Sequence, residues 1–141
     1  MKSLIEKRSA GGIIYSDNKF LVIKAIPHDE IILPKGTIEK DETPEQTAIR
    51  EVFEETGYKT SITSSLGEVS YEFDENDGKR YRKTVYFYLL DLIDKTAPPT
   101  PDRKEDEDFE NIWLTYEEAM VQLTHQNSKN MLRKAHEILK I

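Results

Sequence analysis

Apolar residues fall in short β-rich runs over most of the chain and at helical spacing in three segments. Ser9 to Tyr15 and Phe20 to Ile26 are β-rich runs, and Ser16-Asp17-Asn18-Lys19 between them has the composition of a hairpin turn. A short apolar piece, Ile31-Ile32-Leu33, leads into Pro34-Lys35-Gly36. Ile62 to Phe73 reads as one or two strands, Asn76-Asp77-Gly78 as a turn, and Arg80 to Leu92 as a long aromatic-rich strand. Ile112-Trp113-Leu114 is a last short strand. Thr115 with Glu118 three residues on forms a capping box for a helix to about Leu123. A terminal helix from about Ser128 to Leu139 is expected to bury Met131, Leu132, Ala135, Ile138 and Leu139. The order strands, helix, strands, helices predicts a mixed α/β or α+β sandwich, not a regular βαβ alternation. At 141 residues the chain fits a single domain, 1–141.

The segment from Gly36 to Gly57 contains a helix with both ends marked. Thr43 is the N-cap, Pro44 takes the first helical position, Gln46 can return the capping-box bond, and Gly57 supplies the left-handed residue that stops the helix. At about 100° per residue, Ala48, Ile49, Val52 and Phe53 form one arc, the expected core face. Glu51, Glu54 and Glu55 gather on the roughly opposite arc. Like charges at these spacings repel. Three carboxylates on one turn are either a solvated face or the oxygen ligands of a hard cation such as Mg²⁺ or Mn²⁺. Arg50 precedes Glu54 by four residues and can hold its carboxylate in place.

Charge sharpens this picture. The chain carries 20 Lys+Arg against 27 Asp+Glu, a net of −7. Residues 36–57 hold seven acids and two bases, and residues 102–110 hold six acids and two bases. Against them stands a short basic cluster, Lys79, Arg80, Arg82 and Lys83. Two acidic patches and one basic patch suit metal ions plus a polyanion, whereas the acidic total argues against a stable grip on nucleic acid. There is no cysteine, which excludes disulfides, thiolate metal sites and a cysteine nucleophile. No apolar run reaches membrane-spanning length and the first residues lack a signal-peptide centre, so the expected location is cytoplasmic.

Gly36, five residues, Glu42, seven residues and then Arg50-Glu51-Val52-x-Glu54-Glu55-x-Gly57 resembles the Nudix box at every polar and glycine position. Tyr58 departs from it, standing where that family usually has an aliphatic residue. The Gly11-Gly12 strand, Leu33-Pro34-Lys35-Gly36, and Trp113-Leu114 followed by Thr115-Tyr116-Glu117-Glu118-Ala119 are similar to further landmarks of the family. The resemblance implies a Nudix-type α/β/α sandwich with the box as loop–helix–loop, and metal-dependent hydrolysis of a nucleoside diphosphate linked to another group. It implies that Glu51, Glu54 and Glu55 are metal ligands for Mg²⁺ or Mn²⁺, with the backbone carbonyl near Lys35 or Gly36 as another. It further implies that Arg50 orients them and Glu42 supports.

Leu-Pro-Lys-Gly is most similar to the dinucleoside polyphosphate and diphosphoinositol polyphosphate hydrolases, which makes diadenosine tetraphosphate, cut asymmetrically to ATP and AMP, the expected substrate. Lys35, Lys79, Arg80, Arg82 and Lys83 are candidate phosphate contacts, and Tyr71, Phe73 or Tyr81 a candidate stacking partner for a base. Strand alternation puts Lys79, Tyr81 and Lys83 on one face and Arg80 and Arg82 on the other. Glu107 is the preferred proton acceptor by the same resemblance, with Glu105, Asp106 or Asp108 as alternatives in that acidic loop and a box glutamate, Glu54, as another. Pyrophosphohydrolysis of nucleoside triphosphates, diphosphoinositol hydrolysis and a non-catalytic nucleotide sensor are the alternative functions. A P-loop and a Gly-x-Ser-x-Gly elbow are absent, and His28, His125 and His136 do not pair at ligand spacing. The sequence leaves the oligomeric state open.

Overall fold

The turn at Asp17 and Asn18 sets the first topological decision. Both residues adopt positive φ, 51° and 66°, the geometry of a tight hairpin that asparagine and aspartate tolerate. They join β1 (Leu4–Ser16) to β2 (Lys19–Ala25) through the pairs Tyr15–Phe20 and Ser16–Lys19. The computed structural model describes residues 3–95 and 108–141. Within them follow β3 (Glu30–Ile32), β4 (Lys35–Thr37), α1 (Pro44–Thr56), β5 (Thr60–Asp74), β6 (Arg80–Leu92), β7 (Phe109–Leu114), α2 (Tyr116–Gln122) and α3 (Gln126–Leu139).

The strands form one mixed seven-stranded sheet in the order β3-β2-β1-β6-β5, with β4 also pairing β1 and β7 pairing β2. The β1–β6 pairing is parallel over eleven positions, from Leu4–Arg80 to Ile14–Leu90; the other strand pairs are antiparallel. Residues in register share a face of the sheet. Ala10, Ile14, Tyr88 and Leu90 therefore point together, and they pack on Ala48 and Val52 of α1. Ile13, Val85, Phe87 and Leu89 point to the other face, under Ala119 of α2 and Met131, Leu132 and Ala135 of α3. Helices thus cover both faces, as the resemblance to the Nudix box implies. Among the described residues no helix is long and apolar enough to cross a membrane.

Most predicted elements occur, with instructive differences. β4, three residues long and containing Gly36, has no legible pattern. β5 is one strand interrupted by irregularities at Ile62/Ser64 and Ser65/Gly67. Ile138, expected in the core, is exposed at 46%; α3 buries only a narrow stripe. Tyr58 packs edge-on against Trp113, ring centroids 5.7 Å apart.

Candidate active site

The caps of α1 are as expected. Thr43 accepts from the Gln46 N–H, Gln46 returns the bond, and Gly57 sits at φ 83° with its N–H on the Phe53 carbonyl. The face is different. Ala48 and Val52 are buried, but so are Glu51 and Glu55, each 5% exposed, whereas Ile49 and Phe53 remain partly exposed. The helix has turned its carboxylates toward the edge of the sheet. Gly36 makes the room: a Cβ there would lie 2.1 Å from the Glu51 carboxyl carbon, so only glycine lets that carboxylate approach β4. Glu55 Oε2 accepts the Lys35 backbone N–H at 3.0 Å, which satisfies a buried carboxylate with an edge-strand donor.

Arg50 is the hub that holds this acidic surface together. It binds Glu42 through both Nε, 2.7 Å, and Nη2, 2.9 Å. Its Nη1 reaches Glu51 at 2.8 Å and Glu54 at 3.2 Å, and Nη2 donates to the Thr37 carbonyl at 3.0 Å. Chiefly by hydrogen bonding to Glu42, Arg50 is held in its charged form even more firmly than an ordinary arginine. The same bond, helped by Thr47, lowers the Glu42 carboxyl to about 2. A carboxyl whose folded value lies below 4.5 stabilises the fold above that pH and loses the stabilisation as pH falls toward 2. Equilibrium unfolding should therefore show stability falling between about pH 4.5 and 2. Glu42→Gln should remove ~3 kcal/mol or less at neutral pH and nothing near pH 2. An equal loss at both pH values would deny Glu42 that role.

The candidate substrate residues separate onto two faces. Lys83 is in register with both Lys7 of β1 and Tyr71 of β5, so the three share the face opposite α1. Lys35 extends onto the same face and its ammonium lies beside that of Lys83. Burial and the neighbouring Lys35 and Lys7 charges push Lys83 below the usual lysine range. Like-charged ammoniums this close form a ready site for a polyanion. Tyr71, 42% exposed, lines a cavity of about 380 Å³ with Leu33, Lys35, Val85, Phe87 and His125.

Two of the expected contacts have other partners. Arg82 lies on the α1 face, as alternation requires, and is tied to Glu72 at 3.3 Å and Glu6 at 3.4 Å. Tyr81 is buried between Phe73, with ring centroids 5.5 Å apart, and Lys7, whose Nζ is 4.5 Å from its ring; its hydroxyl donates to Asp77. It is packing material and offers no open face to a base. Lys79 sits at the hairpin tip, its N–H on Asp77 at 2.9 Å. Glu107, Glu105 and Asp106 lie outside the described residues. Asp108 lies beside the turn after β2, accepting the Ile26 N–H through its backbone carbonyl at 3.0 Å.

Lys7 joins the basic cluster without any sequence signal, because only the parallel β1–β6 pairing brings it there. Asn111 also escapes a sequence reading; its side-chain amide donates to the Thr56 carbonyl at 2.8 Å and fixes the end of α1 to β7.

The oxygen-only donor set on α1, with Glu51 seated against Gly36, has the chemistry of a hard divalent cation site. Arg50 holds Glu51 and Glu54 while the Lys35 N–H holds Glu55, and among the described residues no three acidic or histidine groups stand close enough to hold one ion together. Glu54 meets Arg50 at 3.2 and 3.3 Å, longer than the 2.8 Å contact of Glu51.

The sequence matches the NUDIX domain family over residues 6–135. A Mycobacterium tuberculosis protein named as a candidate mutator protein, MutT4, is 38% identical over 110 residues, covering 76% of this chain and 41% of that protein. An ADP-ribose pyrophosphatase of Methanocaldococcus jannaschii is 35% identical over 102 residues, covering 70% of this chain and 59% of that protein. The chain thus spans roughly two fifths to three fifths of the length of these curated relatives. Among solved structures, a Caenorhabditis elegans Ap4A hydrolase in a binary complex superposes with a TM-score of 0.74 at 23% identity, covering 95% of this chain and 98% of that one. The box, the sandwich around it and the match over residues 6–135 lead to one assignment: the chain belongs to the NUDIX domain family.

Proposed function

We propose that this chain hydrolyses a phosphoanhydride bond in a nucleoside polyphosphate, with diadenosine tetraphosphate cut asymmetrically to ATP and AMP as its reaction. The observation that carries this reading is the double role of Lys35. Its backbone N–H holds Glu55 of the carboxylate cluster at 3.0 Å. Its side chain lines the Tyr71 cavity and meets Lys83 on the opposite face of the sheet. Carboxylates and phosphate-binding ammoniums therefore meet across one short strand.

In this reading Glu51, Glu54 and Glu55, with the backbone carbonyl near Lys35 or Gly36, hold Mg²⁺ or Mn²⁺. Such an ion supplies Lewis acidity toward the phosphate oxygens when bound. Arg50 and Glu42 keep the carboxylates in place. Lys35 and Lys83 bind the phosphate chain, and Tyr71 stacks on the base at its end. Glu107, or Glu54 in its place, accepts a proton from the attacking water. The water oxygen bonds to one phosphorus, the bridging P–O bond breaks, and the leaving phosphate departs with the electron pair.

Attack away from the centre of the chain is expected because a single metal cluster engages one end of it. The substrate class is tested by a screen of dinucleoside polyphosphates, nucleoside triphosphates, ADP-ribose and diphosphoinositol phosphates with Mg²⁺ present. Brisk triphosphate cleavage with no turnover of the dinucleotide would replace this reading with pyrophosphohydrolysis of triphosphates, and no hydrolysis of any of them would leave a binding module. Lys83→Glu should raise KM about tenfold or more for the tetraphosphate and much less for ADP-ribose, because a charge-assisted contact of ~1.5–3 kcal/mol is lost only by the longer chain. Equal changes for both substrates would make Lys83 structural.

A further inference from the structure

We infer that the groove on the far side of the lysine pair is a second nucleoside subsite, which takes the base at the other end of a two-ended substrate on the Arg8 guanidinium. The inference rests on the polyphosphate reading above. A second cavity, about 670 Å³, runs along β1 from Glu6 to Ser9 and faces the loop from Thr37 to Glu42. Residues 6–9 alternate between the two faces of the sheet, yet all four line this groove. Here β1 meets the loop after β4: β4 pairs β1 from Ser9 onward, and ahead of it the Arg8 carbonyl takes the Ile38 N–H at 3.0 Å.

The two cavities are joined by the lysines. Lys35 lines the apolar cavity and Lys83 lines the groove, and their ammoniums are neighbours. A phosphate chain held between them has one end over Tyr71 and the other directed into the groove. The groove also contains Glu42, which Arg50 ties to the carboxylate cluster, so a chain entering it passes the hydrolytic residues.

Its recognition element is Arg8. The side chain is exposed, and its guanidinium carbon lies 5.3 Å from the Tyr86 ring centroid. A planar cation lying over an aromatic ring presents its outer face to a second flat ring, and nucleobases stack on such surfaces irrespective of sequence. Glu39 and Asp41 on the rim supply acceptors for an exocyclic amino group or a ribose hydroxyl. Tyr86 itself lies in the β1–β6 sheet, in register with Ala10, so the platform is fixed by strand pairing and not by a loop.

Equilibrium binding to the full chain tests this with two probes whose anhydride oxygens are replaced by methylene bridges. One is a diadenosine tetraphosphate analogue and the other an adenosine tetraphosphate analogue with a single base. The two-ended probe should bind about tenfold tighter, the worth of one stacked base. Arg8→Ala and Arg8→Lys should both bring that ratio close to one, because lysine keeps the charge and loses the plane. Equal affinity of the two probes for the unmodified chain, or a ratio preserved in Arg8→Lys, overturns the second subsite. A thermal melt confirms that each variant is folded. Binding is read without turnover, so the two readings fail separately. A tenfold ratio beside no cleavage of the natural dinucleotide removes the reaction and leaves the subsite standing.

Discussion

Glu54→Gln and Glu55→Gln are expected to lower turnover about a thousandfold or more while leaving the fold intact. The size follows from losing a charged oxygen ligand of a cation whose stabilisation of phosphoryl charge is worth several kcal/mol, at 1.36 kcal/mol per factor of ten. The fold should survive because a glutamine oxygen still accepts the Lys35 N–H that Glu55 holds at 3.0 Å. At Glu54 only its 3.2 and 3.3 Å contacts to Arg50 weaken. Chelator should abolish activity in the unmodified chain, and millimolar Mg²⁺ or Mn²⁺ should restore it. Full activity in either variant would remove that residue from the ligand set.

Arg50→Ala is expected to damage stability and turnover together. Glu42, Glu51 and Glu54 have side chains exposed by only 15%, 6% and 17%, and the substitution would leave all three without their shared cation. Removing one partner from a buried charge network costs about 3–5 kcal/mol. Releasing the carboxylates that bind the metal commonly costs a further 10–100-fold in activity or metal affinity. Arg50→Lys should restore little. One ammonium cannot bond both oxygens of Glu42, reach Glu51 and Glu54, and bond the Thr37 carbonyl at once. Denaturant midpoints and kcat measured side by side separate the two losses. A variant as stable as the parent would contradict the hub assigned to Arg50.

How much of this was legible in the sequence depends on how local the determinant is. Both ends of α1 and the start of α2 follow from side chains within four residues of each other, and the capping boxes at Thr43 and Thr115 are present as read. The strand read as Arg80 to Leu92 has those bounds because its pattern is long and uninterrupted. The orientation of α1 was not legible. Helical periodicity sends Ile49 and Phe53 inward, yet Gly36 and the Lys35 N–H, fifteen or more residues away along the chain, make a buried place for Glu51 and Glu55 instead.

The basic face shows the same limit. Alternation correctly divides Lys83 from Arg82, but only the register of β1 on β6 reveals that Lys7 joins Lys83 and that Arg82 is occupied by Glu6 and Glu72. Tyr81 has the composition of a stacking residue and the position of a packing one, since Phe73 covers one side of it and Lys7 the other. Such non-local pairings carry no sequence periodicity of their own.

The proposed reaction is hydrolysis of a phosphoanhydride by water at one end of a polyphosphate. The most direct measurement is incubation of diadenosine tetraphosphate with the chain and Mg²⁺ in ¹⁸O-labelled water, with every product weighed by mass spectrometry. Equal amounts of ATP and AMP are expected, with one ¹⁸O atom in one of the two products and none in the other. Two equivalents of ADP, or unlabelled products, would contradict it.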